Sequence, residues 1–276
     1  MAISYYLLQI PSVLLFSLLI LSGALAGGLG TYLFRRHIKL KILRSHNEVT
    51  GFLFLAIASF YALLLSFVVL VVWEQLNETH SNLSKEGSSA LSLYHDIKFY
   101  PDTTESKKLM TAYIDFVYNV IDEELPNMQM LKLSRKTPES FSKVFYEMEH
   151  LNPKSQFQIQ LVTQMFNHLN ELSTYRGLRI ASIDTEIPSP MWLPIIFGAF
   201  ITLMCAMLLD IEHTRIHLII TGMLGAVIGM FLFILIVLDH PYTGSHAIKP
   251  KSYKEIFTLE RWDTDKTLLN NNKSNK

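Results

Sequence analysis

Four long apolar stretches, set as two pairs around a polar middle, constrain this chain more than any other feature. They cover residues 11–34, 51–73, 191–209 and 216–238. Each approaches or exceeds the roughly 20 residues that a helix needs to cross a hydrocarbon core of about 30 Å. None contains Asp, Glu, Lys or Arg, and apart from the tyrosines their only ionisable side chains are His217, near an edge, and the single cysteine, Cys205. Runs this long and this free of charge predict an all-α polytopic membrane protein. Its four transmembrane helices form two pairs, with a helical extramembrane domain between spans two and three.

The balance of residue types fits that class. Half of the chain is hydrophobic and 17% is charged, and mean hydropathy is +0.26. The 24 basic and 24 acidic residues cancel, which leaves no electrostatic footprint for a nucleic acid. One thiol cannot close an intrachain disulfide and has no company for a structural metal site. No cofactor is expected.

Ala24-Leu25-Ala26 mimics a signal-peptide cleavage site, but the charges have the wrong polarity for one. No Lys or Arg precedes the first apolar run, and Arg35 and Arg36 follow it at once. The first stretch is therefore read as a retained span. The short connection after it carries Arg35, Arg36, Lys39, Lys41 and Arg44, and the other short connection carries Arg215. By the positive-inside rule both face the cytoplasm. The N-terminus, the middle region and the tail are then external, or periplasmic if the membrane is a bacterial inner one. The domains expected are a first transmembrane pair (1–73), an external helical domain (74–190), a second pair (191–239) and a polar tail (240–276). Part of that tail is expected to be disordered.

The middle region reads as helical. Leu83, Ala90, Tyr94 and Ile97 continue the second span at helical spacing until Pro101. Asp102 with Glu105 reads as a capping box opening a helix with Leu109, Tyr113, Phe116 and Val120 on one face. Thr137-Pro138 starts a shorter helix carrying Phe141, Val144 and Met148. Asn152-Pro153 reads as the start of a last helix with Leu161, Met165, Leu169 and Leu172, running towards Ile183. Pro188 and Pro190 then break it before Trp192. The region holds 16 acidic against 11 basic residues, the pattern of a solvated surface. Asn77-Glu78-Thr79 and Asn82-Leu83-Ser84 match a glycosylation pattern that matters only in a eukaryotic secretory setting.

Several span residues carry candidate roles. Gly23 and Gly27, and again Gly225 and Gly229, are spaced as GxxxG, which lets helix backbones approach closely. That packing serves contacts within one subunit or between subunits. Ser59, Ala62 and Ser66 form a small, weakly polar stripe along span two, suited to helix packing or to lining a pore. His46, Glu48, Glu74, Asp210 and Asp239 cluster at span ends, where they are candidates for charged pore mouths. Metal ligation by His46, Glu48, Asp210, Glu212 and His213, all near the cytoplasmic boundary, is a weaker reading, and no metal is expected.

Longer runs then carry a family likeness. His46-Asn47-Glu48-Val49-Thr50-Gly51-Phe52 opens span two, and Tyr61-Ala62-Leu63-Leu64-Leu65 and Val72-Trp73-Glu74-Gln75 follow along it. Glu86 lies in the first external helix; Leu169-Asn170-Glu171-Leu172, Arg176 and Arg179 lie in the last. Trp192 and Pro194 open span three, and Leu238-Asp239-His240-Pro241-Tyr242-Thr243-Gly244 closes span four. In their order and spacing, over roughly residues 20 to 250, these resemble the bacterial bestrophin-like membrane-protein family, a domain of unknown function. The resemblance implies an oligomeric ion channel, a pentamer by analogy, with copies of span two around its axis. It also implies that Glu86 pairs with Arg176 or Arg179. Two features depart from bestrophins: charge bias puts the helical domain outside rather than in the cytosol, and the acids at span ends suit cations. The sign of the ion stays open. A different class of function is a non-conducting membrane-anchored sensor or scaffold whose external helices bind a partner. An intramembrane enzyme is disfavoured by span interiors that lack carboxylates and basic side chains.

Overall fold

The computed structural model describes residues 7–38, 44–101, 103–184, 187–243 and 251–260. Among them every regular element is helical. In chain order the helices are α1 (Ser12–His37), α2 (Arg44–Phe99), α3 (Thr104–Asn119), α4 (Leu125–Gln129), α5 (Lys136–Glu149), α6 (Gln156–Ala181), α7 (Ser189–Met207) and α8 (Thr214–Leu238), followed by α9 (251–260). A single π turn, Val120–Glu124, joins α3 to α4. Four helices, α1, α2, α7 and α8, are long and apolar enough to cross a membrane.

The chain divides into two compact units. One comprises Met1–Leu76 and Thr185–His246, the other Asn77–Asp184 and Ala247–Lys276. Helix α2, 56 residues long, contributes to both without a break. Helix 251–260 of the tail belongs to the second unit, with Tyr253 and Ile256 fully buried. The remaining tail positions of the disorder expectation lie outside the described residues.

Two helix starts differ from the sequence expectation. Asp102 lies outside the described residues, and the capping box of α3 is made by Thr103 and Ser106 rather than by Asp102 and Glu105. Helix α6 begins at Gln156, capped by Ser155 and Gln158, three residues beyond Asn152-Pro153. In both cases a later hydroxyl reaches a backbone N–H two or three positions on, which is all a cap requires.

Within the membrane unit, α1 and α8 pack backbone to backbone. A Cβ on Gly23 would overlap the Gly225 carbonyl, one on Gly27 the Thr221 carbonyl, and one on Gly229 the Leu19 carbonyl. The two GxxxG pairs thus face each other inside one chain. Thr31 Oγ1 donates to Thr221 Oγ1 across the same seam at 2.8 Å. The partner of α1 is α8, drawn from the other sequence pair. Tyr61, Leu65, Val68 and Val72 of α2 likewise form a core with Ile195 and Ala199 of α7 and Ile228 and Leu235 of α8, and Gly198 makes the notch that receives the Tyr61 ring.

The second unit is an ordinary amphipathic helical core. Leu93 and Tyr94 of α2, Leu109, Tyr113 and Phe116 of α3, Val144 and Met148 of α5, and Met165, Leu169 and Leu172 of α6 are all essentially inaccessible. Each such side chain contributes on the order of 1.5–3 kcal/mol when withdrawn from water. Tyr113 buries its ring yet keeps its hydroxyl satisfied, donating to the Ala90 carbonyl at 2.5 Å.

The glycine seam makes a sharp prediction. Gly27→Ala should lower thermal stability in detergent by about 1–3 kcal/mol, the range of overpacking. Gly28→Ala, where the nearest atom would be 3.6 Å away, should leave it nearly unchanged. Equal melting temperatures for the two variants would contradict the seam.

Candidate functional site

The strongest concentration of charge chemistry lies inside the helical head formed by the second unit. Arg179 of α6 is completely buried, as is Glu86 of α2. The guanidinium is held in a fork: Nε donates to Glu86 Oε2 at 2.6 Å and Nη2 to Glu86 Oε1 at 2.9 Å. Nη2 also donates to Glu124 Oε1. One turn earlier, Arg176 donates through Nε to the same Glu124 oxygen at 3.1 Å and through Nη2 to the other. Tyr253 of α9 completes the set, its hydroxyl donating to Glu86 Oε1 at 2.7 Å. Two guanidinium and two carboxylate groups thus cancel in charge within one buried cluster.

The local sequence explains how each arrives. Arg176 and Arg179, three apart on α6, share a face. Glu124 follows Asp122 and Glu123, and the π turn fixes which of the three acids points inward: Glu124 is buried, whereas Asp122 is exposed. Planar guanidinium forks match carboxylates two oxygens at a time, which is why arginine rather than lysine occupies both positions. Arg176 also lies over the Phe141 ring, 5.2 Å from its centroid.

The electrostatics follow from burial. Desolvation alone would raise the Glu124 carboxyl, but Arg179 and Arg176 outweigh it and hold the group below its ordinary value of 4.5. Desolvation opposes the charge on Arg179, and Glu86 with Glu124 more than restores it, leaving that group always protonated. Burial, followed by the Glu86 charge, pushes the Tyr253 phenol well above its ordinary range. Glu124, Arg179 and Tyr253 therefore all shift away from neutrality. The cluster is a clamp built from fixed charges. Two further polar links tie α6 to α2: His168 Nδ1 lies 2.7 Å from Asp96 Oδ2, and Ser89 donates to Glu171 at 3.1 Å.

The structure separates the candidate residues of the membrane unit into two groups. Ser59, Ala62 and Ser66 are exposed along one side of α2, away from the buried Tyr61, Leu65 and Val68. The Ser59 and Ser66 hydroxyls donate to carbonyls four residues back. His46, Glu48 and Glu74 are exposed on the same helix. The remaining acids have structural partners. Asp210 pairs with Arg35 at 3.2 Å, and Asn47 grips its backbone from both sides, at 2.8 and 3.2 Å. Asp239 is buried and accepts the Ile187 N–H at 2.6 Å, holding the chain two residues before α7. Glu124, Tyr253 and the Arg35–Asp210–Asn47 link went unrecognised in the sequence. Only the sharing of a face by Arg176 and Arg179 hinted that two carboxylates were needed.

A family model described as Bestrophin-like domain matches residues 21–253. No curated protein matches the sequence. Among solved structures, the chain is similar to a variant of a bacterial bestrophin homologue from Klebsiella pneumoniae. The TM-score is 0.59 at 14% identity, covering 88% of this chain and 94% of that one. It is also similar to a crystal structure described as a membrane protein, with a TM-score of 0.58 at 12% identity, covering 89% and 96%. At such identities the likeness is one of fold.

Two measurements probe the clamp. Arg179→Met should destabilise the head by about 3–5 kcal/mol, because it strands two buried carboxylates, whereas Arg135→Gln on the surface should change stability by less than about 0.5 kcal/mol. Since the folded pKa of Glu124 is depressed, its contribution is complete above pH 4.5 and is lost as pH falls through the lower folded value. Melting temperature plotted against pH should therefore drop on the acid side, and Glu124→Gln should start lower and drop less.

Proposed function

Because the chain belongs to the Bestrophin-like family, we propose that it is a homo-oligomeric membrane ion channel in which copies of α2 surround the conduction path. Four transmembrane helices, α1, α2, α7 and α8, anchor each subunit. The observation that carries this reading is the side of α2 that the subunit leaves uncovered. Ser59 and Ser66 are seven residues apart, two turns of helix, and Ala62 lies between them. Glu48 stands eleven residues before Ser59, three turns away, and falls on the same side. The stripe is small and weakly polar while the opposite face is core, the division expected of a helix that shows one side to water. Phe52 and Leu55 below it and Leu70 and Trp73 above it are more than half exposed, so the wider stripe would narrow at apolar rings of the kind that gate by dewetting.

In this arrangement Glu48 rings one mouth, and the positive-inside bias assigns that mouth to the cytoplasm. The helical head then stands on the opposite side of a bacterial inner membrane. Acid at the mouth favours cations. Asp210 and Asp239 are assigned to holding the backbone rather than to the mouths, in keeping with their partners Arg35 and Ile187.

The test is cysteine substitution along α2 in a Cys205→Ala background, with a charged, water-soluble thiol reagent and ion flux from liposomes as readout. Positions 59, 62 and 66 should react and block flux, and positions 61, 65 and 68 should not. Glu48→Gln should shift the reversal potential towards anions. A monomeric protein that passes no ions, with position 59 unreactive, would replace the channel by a non-conducting sensor or scaffold acting through the head.

A further inference from the structure

The segment between α4 and α5 in the helical head combines features that the clamp and the channel leave unused. Met130 and Leu133 are more than half exposed, at 52% and 64%. Leu131 adopts a left-handed backbone with φ of 55°, a conformation that bulky side chains rarely take. Beside them lies an open groove of about 690 Å³, walled by Leu131 and Leu133 on one side and by Ile180 and Ile183 on the other. It leads to a smaller pocket of about 120 Å³ that shares Leu133, Ile180 and Ile183 and is floored by Met128 and the Glu124–Arg176 pair.

Two cations stand at the groove. Lys132 and Arg135 line it, and neither forms an ion pair among the described residues. Their neighbour Lys136 is already matched by Glu123, at 3.4 Å. The floor is neutral, since Glu124 and Arg176 cancel. An occupant must therefore bring a long apolar part for the groove and a negative charge for its rim. The chain sets where such a molecule is available. Ile183 precedes Ser189, the first residue of α7, by six positions, so the intervening backbone reaches no more than roughly 20 Å. Ile183 is thus tethered within that reach of a helix long and apolar enough to cross a membrane.

We propose that residues 130–135 form a lipid-binding loop: an acyl chain of an anionic phospholipid lies between Leu131, Leu133, Ile180 and Ile183, and Lys132 and Arg135 hold its phosphate. Exposed apolar side chains flanked by cations are the combination that binds an anionic membrane surface, the first by burial and the second by attraction to the headgroups. Leu131, held in a backbone conformation that bulky residues rarely take, is one of the groove's lining residues.

The experiment uses the full chain reconstituted in vesicles, with an environment-sensitive fluorophore on Leu133→Cys in a Cys205→Ala background. Tyr146→Cys, at 58% exposed on α5 of the same unit, is the reference site. Vesicles are phosphatidylcholine alone or phosphatidylcholine with increasing phosphatidylglycerol, each with a spin-labelled lipid as quencher. The label at 133 should be quenched far more than the label at 146, and more so as phosphatidylglycerol rises. The phosphatidylglycerol fraction that gives half-maximal quenching should rise roughly fivefold with each of Lys132→Ser and Arg135→Ser, while the melting temperature of the head stays unchanged. Three outcomes would overturn the proposal. One is quenching at 133 no greater than at 146, and another is quenching indifferent to phosphatidylglycerol. The third is a blue-shifted label that lipid does not quench, which would mean that a second copy of the chain covers the loop.

Discussion

A fully buried guanidinium is among the most expensive groups that a protein core can hold, and the helical head is arranged around one. Arg179 is tolerable only because Glu86 and Glu124 supply two carboxylates within hydrogen-bonding distance and Tyr253 occupies part of Glu86's remaining capacity. These residues come from α2, the π turn, α6 and α9, so one charge ties together segments up to 167 positions apart. Such clusters add little net free energy over a well-packed apolar core, but they penalise every arrangement that leaves a partner behind. The head's register is set there. A slip of one turn in α6 would strand Arg179 against apolar neighbours.

The two units are held by different physics. In the head, apolar faces are withdrawn from water, and large side chains such as Phe116, Tyr113 and Met165 fill the space. In the membrane unit lipid is as apolar as leucine, so removing a leucine from it yields little. Close backbone approach through Gly23, Gly27, Gly225 and Gly229 supplies dispersion contacts instead, and the Thr31–Thr221 hydrogen bond adds a polar latch in a medium that offers no competing water. Small residues do in the bilayer what large ones do outside it.

Helix α2 links these two regimes, because its lower half supplies Tyr61 and Leu65 to one core and its upper half supplies Leu93, Tyr94 and Glu86 to the other.

Local chemistry was enough to read the four long apolar helices, the amphipathic faces of the head and the chain breaks at Pro101 and Pro188, since hydrophobic length, helical period and proline geometry act over a few residues. The pairing of Glu86 with an arginine came from the expected helix arrangement together with family likeness. Other features depended on the assembled molecule. Three consecutive acids, Asp122, Glu123 and Glu124, are equivalent in sequence, and only the π turn rotates the last one into the core. The helix starts at Thr103 and Ser155 were misplaced because several nearby polar residues could cap equally well, and tertiary packing chooses among them. That α1 lies against α8 and that Tyr253 of the tail reaches Glu86 depend on contacts 190 and 167 positions apart, whose energies no local window contains.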